Sequence, residues 1–579
     1  MFFLAPIDKN RLFFIFTYLL GIAVAYTEDA LSIRLGAELF LELYLLCAFL
    51  AVIPLPVRRY VTGALSVLAY LISLADVISF ATIDTGFSLL TLELLLQTNA
   101  GEAGEAIREY FSWHVIWSTK WVLLVIGLHC LWLFFGERVN SVCKWSIDHA
   151  TCVRYCLLVM LVVSVPLSWQ NMKGMYKVYA ADSFHFQHIL PDVTNNCLTI
   201  GFYTPIHRLL YAIKAVSVKN ESVKLLEHVI GQMPDVGRVT SDSLAIPNIC
   251  LIIGESYNKH HSELYGYRMP TTPCQKKRME KKELVVFKDV ITSWNYTSNS
   301  FEHMMSMHGY GDSGEWYEYP TFPAIFKKAG YYTSFISNQF FKSKGKLGDI
   351  FFDNPRISDA MFCSRNLHPH SFDDSLLVDF DSLSVRFADK NLVIVHLIGQ
   401  HLAYSERYPE SWRKILPESY RRKELNEKQL NVLSDYDNAT LYNDYVVDCI
   451  LQKFEDKDAV VIYLADHGDM CFDGSALFGR TTSITQNNVY QMYEIPFWIW
   501  GSKSFREKHS EVWGRIERAK DMRFMTDNIG QLLIGLAGIN YNGYHASCDL
   551  LSPSYNEKRP RLMRGEIDYD SFMRGYSVQ

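Results

Sequence analysis

Residues 459–469 read AVVIYLADHGD, an apolar run that stops at Asp466-His467-Gly468-Asp469. A run with no polar alternation is a strand covered on both faces, as in a parallel sheet flanked by helices. Open sheets of that kind carry their chemistry just past the carboxyl ends of the strands. Asp466 and His467 are therefore read as half of a metal site. A lone Asp-His-Gly would be read more simply as a polar turn after a core strand. A second run with the same ending, NICLIIGES at 248–256, shifts the balance because it delivers Glu255 to an equivalent point.

Outward from these two runs, strand candidates at 250–253, 284–287, 333–336, 392–397, 460–464 and 495–500 alternate with helical stretches. Alternation of this kind predicts a largely parallel, helix-covered sheet, and residues 246–579 are enough for one large core. Besides Glu255, Asp466 and His467, candidate ligands are Thr297 in SWNYTSNSF (293–301), ahead of a helical run at 301–308, and His396 and His401 in LVIVHLIGQH (392–401). Two carboxylates, a hydroxyl and an imidazole suit Zn²⁺, which takes oxygen and nitrogen donors tetrahedrally. A threonine hydroxyl is a poor nucleophile until a metal lowers its pKa and a helix amino terminus favours its negative charge. That combination serves displacement at phosphorus, where the protein mainly positions groups and neutralises oxygens.

Other polar residues receive plainer readings. His260, His261, His303 and His308 could ligate a metal by type, but no strand end presents them, and core or helix-surface roles are expected. Asp289, Asn338 and Gln339 follow strands and are candidates for the pocket wall. The basic run 276–282 is read as a solvated loop, and Cys250 and PFWIW as core. Cys197, Cys250, Cys274, Cys363, Cys449, Cys471 and Cys548 follow the apolar half, where disulfides are permitted but their connectivity cannot be deduced.

The 579 residues carry a net charge of −6 with no basic stripe, so nucleic acid is not an expected partner. The apolar excess lies before residue 170. Stretches at 12–26, 37–55, 60–83, 115–135 and 154–169 approach the ~20 residues that cross a bilayer, and the first is followed by further spans instead of a cleavage site. Lys9 and Arg11, Arg58 and Arg59, and Arg138, Lys144 and Arg154 fall on alternate loops, with Glu28, Asp29, Glu102, Glu105 and Glu109 on the others. The positive-inside rule then puts the amino terminus in the cytoplasm and everything after the fifth span outside. The expected domains are 1–170, five transmembrane helices with an amphipathic outer-face segment near 92–110; 171–245, bridging helices at 205–215 and 221–230 with a linker; and 246–579, extracytoplasmic and catalytic. Glu42, Asp76 and Lys120 interrupt the spans and are expected to pair across helices, Lys120 with Asp76 or Glu42, and to border a cavity open to the outer leaflet.

Gly254-Glu255-Ser256, LYGYRMPTTP at 264–273, the Thr297 segment, His396-x-x-Gly-x-His401, Asp466-His467-Gly468 and YEIPF at 493–497 occur in that order. With the five spans they resemble the membrane-bound phosphoethanolamine transferases that modify lipid A and lipopolysaccharide core, including mobile colistin-resistance enzymes, in the alkaline phosphatase/sulfatase superfamily. The resemblance implies an α-helical membrane domain joined to an α/β sulfatase-like domain, with Glu255, Thr297, Asp466 and His467 as Zn²⁺ ligands and Thr297 as nucleophile. It implies one Zn²⁺ site and leaves a second open. His401, with His396 before it, is assigned to the substrate phosphate, and Thr98 and Glu102 to the donor headgroup. The implied activity is two-step, ping-pong transfer of phosphoethanolamine from phosphatidylethanolamine to a lipid A phosphate, a core sugar or another cell-envelope glycan, through a phosphothreonine-type intermediate. It would belong to a multi-pass protein of the bacterial inner membrane with a periplasmic catalytic domain. Departures are the lack of any cysteine from 275 to 361, Leu94 in place of an asparagine, and no histidine shortly after Asp-His-Gly, where Phe478 or Gly479 stands and Arg480 is the substitute. The alternatives are a glycerophosphate transferase that uses phosphatidylglycerol, as a polyglycerolphosphate synthase does, and a binding or sensor protein on the same fold. A sulfatase is disfavoured because Cys274-Gln-Lys-Lys-Arg lacks the proline and serine of the formylglycine motif.

Overall fold

Helices account for the first half of the chain and a sheet for the second, in a computed structural model that describes residues 2–83, 85–88, 91–92, 95, 104, 113–143, 151–180, 204–233, 246–339, 354–363 and 372–576. The chain divides into two compact units, Met1–Glu221 and Ser222–Gln579.

The first unit contains α1 (Arg11–Thr27), α2 (Ile33–Leu50), α3 (Leu55–Ile83), α4 (Lys120–Cys143) and α5 (Thr151–Ala180), followed by α6 (Pro205–Gln232), in which the division between the units falls. Among the described residues, Leu55–Ile83 and Cys152–Trp169 are long and apolar enough to cross a membrane, and Arg11–Thr27 and Lys120–Phe135 are shorter apolar helices. Helix α2 carries Arg34, Glu38 and Glu42 and so falls outside that test. The exterior is apolar, with Leu71, Leu124, Phe134 and Val162 exposed, a surface suited to lipid. Where two bridging helices were expected, one continuous helix runs through 205–232, because residues 216–220 (VSVKN) contain no glycine or proline to break it. Lys120 does not pair as expected. Arg208 takes both Glu28, at 2.7 Å, and Asp76. Glu42 meets His207 at 3.1 Å, and the Lys120 ammonium lies over the Trp117 ring at 4.1 Å. Most of the segment 92–110, with Thr98 and Glu102, lies outside the described residues.

In the second unit β1 (Asn248–Gly254), β2 (Leu284–Phe287), β3 (Tyr332–Ser337), β4 (Ala360–Cys363), β5 (Asn391–His396), β6 (Ala459–Ala465) and β7 (Phe497–Gly501) form one sheet in the order β2-β7-β6-β1-β5-β3-β4. Strand β7 is antiparallel to both its neighbours, and the remaining pairs are parallel. Six strands coincide with the expected runs. The short edge strand β4 was not anticipated. Ile253 of β1 stands opposite both His396 of β5 and Leu464 of β6, so three adjacent parallel strands end level. The apolar side chains of β1 and β6 are fully buried, and each is worth roughly 1.5–3 kcal/mol of burial. The core beneath, not the polar groups above, fixes where those strands end.

Helices cover the sheet. Chief among them is α8 (Glu427–Gln452), started by a capping box between Asn426 and Gln429. The basic run expected as a solvated loop is mostly helix, Pro273–Glu280. Its first N–H groups, of Cys274 and Gln275, donate to the Asp444 carboxylate of α8 at 2.7 and 3.0 Å. Arg278 is buried among Asp448, Glu455 and Glu283. Cys250, Cys274, Cys449, Cys471 and Cys548 are unbridged.

Candidate active site

The chain leaves β1 at Glu255 and β6 at Asp466, side by side. Ser256 turns the first exit sharply: its φ is +56°, a left-handed conformation that costs a non-glycine residue about 1–3 kcal/mol. Neighbours hold it there. The Ser256 N–H donates to Asp466 Oδ1 at 3.2 Å, and the Tyr436 hydroxyl of α8 donates to the Ser256 carbonyl at 2.8 Å while accepting the Asn258 N–H at 2.7 Å. Two glycines allow the backbones to close up. A Cβ on Gly468 would lie 2.1 Å from the Gln491 carbonyl oxygen, and one on Gly399, whose φ is +46°, would lie 2.9 Å from the Glu255 carbonyl oxygen.

Thr297 arrives from another direction as the first residue of α7 (Thr297–Met305). The helix was expected at 301–308. It starts four residues earlier, because Thr297, Ser298 and Asn299 form its first turn, and the hydroxyl therefore sits in the positive field of the helix amino terminus. Thr297 Oγ1 donates to Glu255 Oε2 at 3.1 Å and lies 3.3 Å from His467 Nε2. His467 Nδ1 is 2.9 Å from the Gly468 carbonyl, which makes Nδ1 the protonated nitrogen and leaves the Nε2 lone pair facing the site. Nε2 is 3.2 Å from Asp466 Oδ2 and 3.4 Å from Glu255 Oε1. Gln339 Nε2 donates to Glu255 Oε2 at 2.8 Å, and the Ser256 hydroxyl to Oε1 at 2.7 Å.

Glu255, Asp466 and His467 are fully buried, and one ligand atom from each lies within 4.8 Å of the others. Burial opposes the charge on Glu255, but His467, His401 and Arg480 outweigh it and keep its carboxyl well below the usual range. Burial and the facing Glu255 push Asp466 well above that range. Asp466 Oδ1 accepts the Ser256 and His467 N–H groups, whereas Oδ2 accepts no hydrogen bond. A buried carboxylate oxygen without a donor is costly. It calls for a proton or a cation, and the two carboxylates, the imidazole lone pair and the hydroxyl form a donor set that fits a divalent metal.

Arg480 also reaches the site. The short strands Met470–Cys471 and Phe478–Gly479 pair antiparallel and fold the chain back, so that Arg480 Nη1 stands 2.9 Å from His467 Nε2 and 3.9 Å from Glu255 Oε1. His401 is half-buried and close enough to Glu255 to favour its charge. His396, also expected at the substrate, is fully buried against Phe301, with ring centroids 4.6 Å apart. Of the pocket-wall candidates Gln339 joins the site. Asn338 is buried and donates to Asp373, which caps the N–H groups of Ile398 and Gly399. Asp289 pairs with Arg561. His303 and His308 are buried among aromatic rings, and His260 stacks on Tyr490. Sequence reasoning passed over Arg564, which links the Thr297 segment to the Arg480 loop: its Nη2 donates to Asn295 Oδ1 at 3.1 Å and to the Thr482 carbonyl at 3.2 Å. Asn295 Nδ2 in turn donates to the Thr481 carbonyl at 2.8 Å. No strand end marks that residue.

A largely parallel sheet carrying acid, imidazole and hydroxyl at adjacent strand ends defines the class, and the chain belongs to the sulfatase family, whose model matches residues 247–539. It is also homologous to phosphoethanolamine transferases. It is 26% identical over 563 residues to the phosphoethanolamine transferase EptC of Escherichia coli, an alignment that covers 93% of this chain and 91% of that protein. The crystal structure of the C-terminal periplasmic domain of the Escherichia coli protein in complex with Zn matches with a TM-score of 0.54 at 27% identity, covering 60% of this chain and 98% of that one. The integral membrane protein lipooligosaccharide phosphoethanolamine transferase A of Neisseria meningitidis shares the fold over 95% of this chain and 98% of its own, with a TM-score of 0.59 at 20% identity.

Proposed function

We propose that this chain is a Zn²⁺-dependent transferase that takes phosphoethanolamine from phosphatidylethanolamine and passes it to a lipopolysaccharide acceptor, a lipid A phosphate or a core sugar. It would do so from the bacterial inner membrane, with five transmembrane helices, a cytoplasmic amino terminus and a periplasmic catalytic domain. Near-full-length homology to phosphoethanolamine transferases supports the group transferred. The carrying observation is the Thr297 hydroxyl, held at a helix amino terminus within hydrogen-bond reach of Glu255 and His467. The five long helices, the apolar exterior and the alternating loop charge support the topology.

Glu255, Asp466, His467 and Thr297 would hold the metal, which when bound supplies the charge that neutralises phosphoryl oxygens and makes a hydroxyl acidic. The Thr297 oxygen, its proton released to solvent, attacks phosphorus in line with the glyceryl oxygen, and the new P–O bond forms as the bond to diacylglycerol breaks. His401 gives a proton to the departing oxygen. The planar fork of Arg480 binds the non-bridging oxygens, as guanidinium does for phosphate generally. Thr98 and Glu102 take the donor headgroup. In the second step His401 takes the proton of an acceptor oxygen as that oxygen attacks the phosphothreonine, the P–O bond to Thr297 breaks, and a solvent proton restores the Thr297 hydroxyl.

The test is the intact mass of the full protein in detergent after incubation with phosphatidylethanolamine and Zn²⁺. A gain of one phosphoethanolamine at Thr297, absent in Thr297→Ala, is expected. A glycerophosphate adduct from phosphatidylglycerol would move the chain to the rival activity, and no adduct from either lipid would overturn the reading.

A further inference from the structure

A cavity of about 320 Å³ lies within the first unit, between α1, α2, α3 and the first turn of α6. Its body is hydrocarbon, with Leu20, Leu43, Leu46 and Leu65 in the wall, and one end is polar, where Glu42 meets His207. The second ring nitrogen of His207 is 3.1 Å from the Tyr179 hydroxyl. On α1 the lining runs from Phe13 to Gly21 and on α3 from Leu65 to Ser73. Eight residues on each helix rise about 12 Å, most of the ~15 Å that is half of a hydrocarbon core. A leucine-lined cavity does not hold water, and empty it would forfeit the dispersion contacts of its walls. The polar end includes the first turn of α6, which comes after the fifth apolar helix in the chain and so lies on the outer side by loop charge.

A slot that is apolar along its length, about one leaflet deep and polar at its outer end has the shape of a lipid chain joined to its headgroup. We propose that it holds one acyl chain of phosphatidylethanolamine, with the carbonyl end of the chain toward Glu42 and His207. The identity of the lipid rests on the function proposed above, whereas occupation of the slot by a chain does not.

The experiment uses the full protein reconstituted in bilayers with a phosphatidylethanolamine probe carrying a diazirine near the methyl end of one chain. After irradiation, peptide mass spectrometry is expected to find label on Phe13, Leu46 or Leu65. Label confined to outward-facing positions such as Phe134 and Val162 would overturn the proposal. Filling the deep end of the slot with Leu65→Trp, or with the milder Thr17→Leu, is expected to raise KM about tenfold for long-chain donor and to leave KM for a dihexanoyl donor, whose chains stop short of these residues, unchanged. Equal changes for both donors would also overturn it. A wild-type protein that transferred from neither donor would defeat the functional reading, and the labelling pattern would still decide the slot.

Discussion

The second unit holds two clusters of the same composition, each a buried imidazole with two carboxylates, and wires them in opposite ways. In the first, both nitrogens of His261 are taken, Nδ1 by Asp437 at 2.8 Å and Nε2 by Asp473 at 2.9 Å. Asp437 also accepts the Tyr267 and Tyr420 hydroxyls, and Asp473 accepts Arg422. Burial opposes a charge on His261, but the two carboxylates overcome it and raise its pKa to about 10. In the second, His467 spends Nδ1 on a backbone carbonyl, Asp466 Oδ2 is left without a donor, and burial with Arg480 lowers the histidine pKa. The first cluster contains its own counter-charge and is complete. The second leaves a carboxylate oxygen without a donor, and that difference separates a structural ion pair from a candidate ligand site where residue types alone do not.

Each way to test the contrast pulls the two clusters apart. Thr297→Ala should reduce transfer by about 10³-fold or more while elemental analysis still finds bound zinc. A full loss of zinc would make the hydroxyl chiefly structural. Asp466→Asn should weaken zinc binding by about 100-fold and abolish the fall in thermal midpoint that a chelator produces in the wild type. Its counterpart Asp437→Asn should leave the zinc content unchanged and cost about 3 kcal/mol of stability, because it strands a buried charge. If the two asparagine variants behaved alike, the clusters would not be wired differently.

The pH dependence is smaller and has a definite sign. The folded pKa of His261, about 10, exceeds the ordinary 6.5, so its contribution to stability is complete below pH 6.5 and is lost as pH rises through about 10. His261 and Arg422 hold the Asp473 carboxyl, against burial, below its ordinary 3.8, and that contribution is complete above 3.8 and lost in acid. Thermal unfolding followed upward from pH 6.5 should therefore show a decline that His261→Gln flattens. The smallest effect is expected at Arg564, where Lys keeps the charge but loses the fork between Asn295 and Thr482. kcat/KM should fall about tenfold with zinc content intact, and an unchanged value would remove the residue from the positioning of Thr297.

Much of this was legible in the sequence where a local pattern carried it. Buried strands announce themselves as runs of Val, Ile and Leu, and parallel strands that end level put Glu255 and Asp466 together once their runs are aligned. The edge strand β4 has only AMFC to signal it and was missed. The start of α7 was missed because its first turn is polar, as expected of a turn that faces a site. Nothing local tells His261 from His467, since both lie beyond strands in polar segments and their wiring comes from α8, from a backbone carbonyl and from loops more than a hundred residues away. Gln339 and Arg480 are likewise brought in by the return of the chain and not by spacing. In the helical unit the long apolar helices were readily legible, but Arg208, which takes the place expected of Lys120 as the partner of Asp76, lies beyond the last of them.

Gly468 has no side chain to bind or react, yet a single added methyl would meet a backbone carbonyl that cannot rotate away. In a library of variants selected for activity, this position should reject alanine as firmly as its neighbour Asp466 rejects asparagine. Intolerance to change would then be equal at a residue that does chemistry and at one that only leaves room for it. Fitness data alone would rank the two together, and only a measurement of folding beside one of metal content would tell them apart.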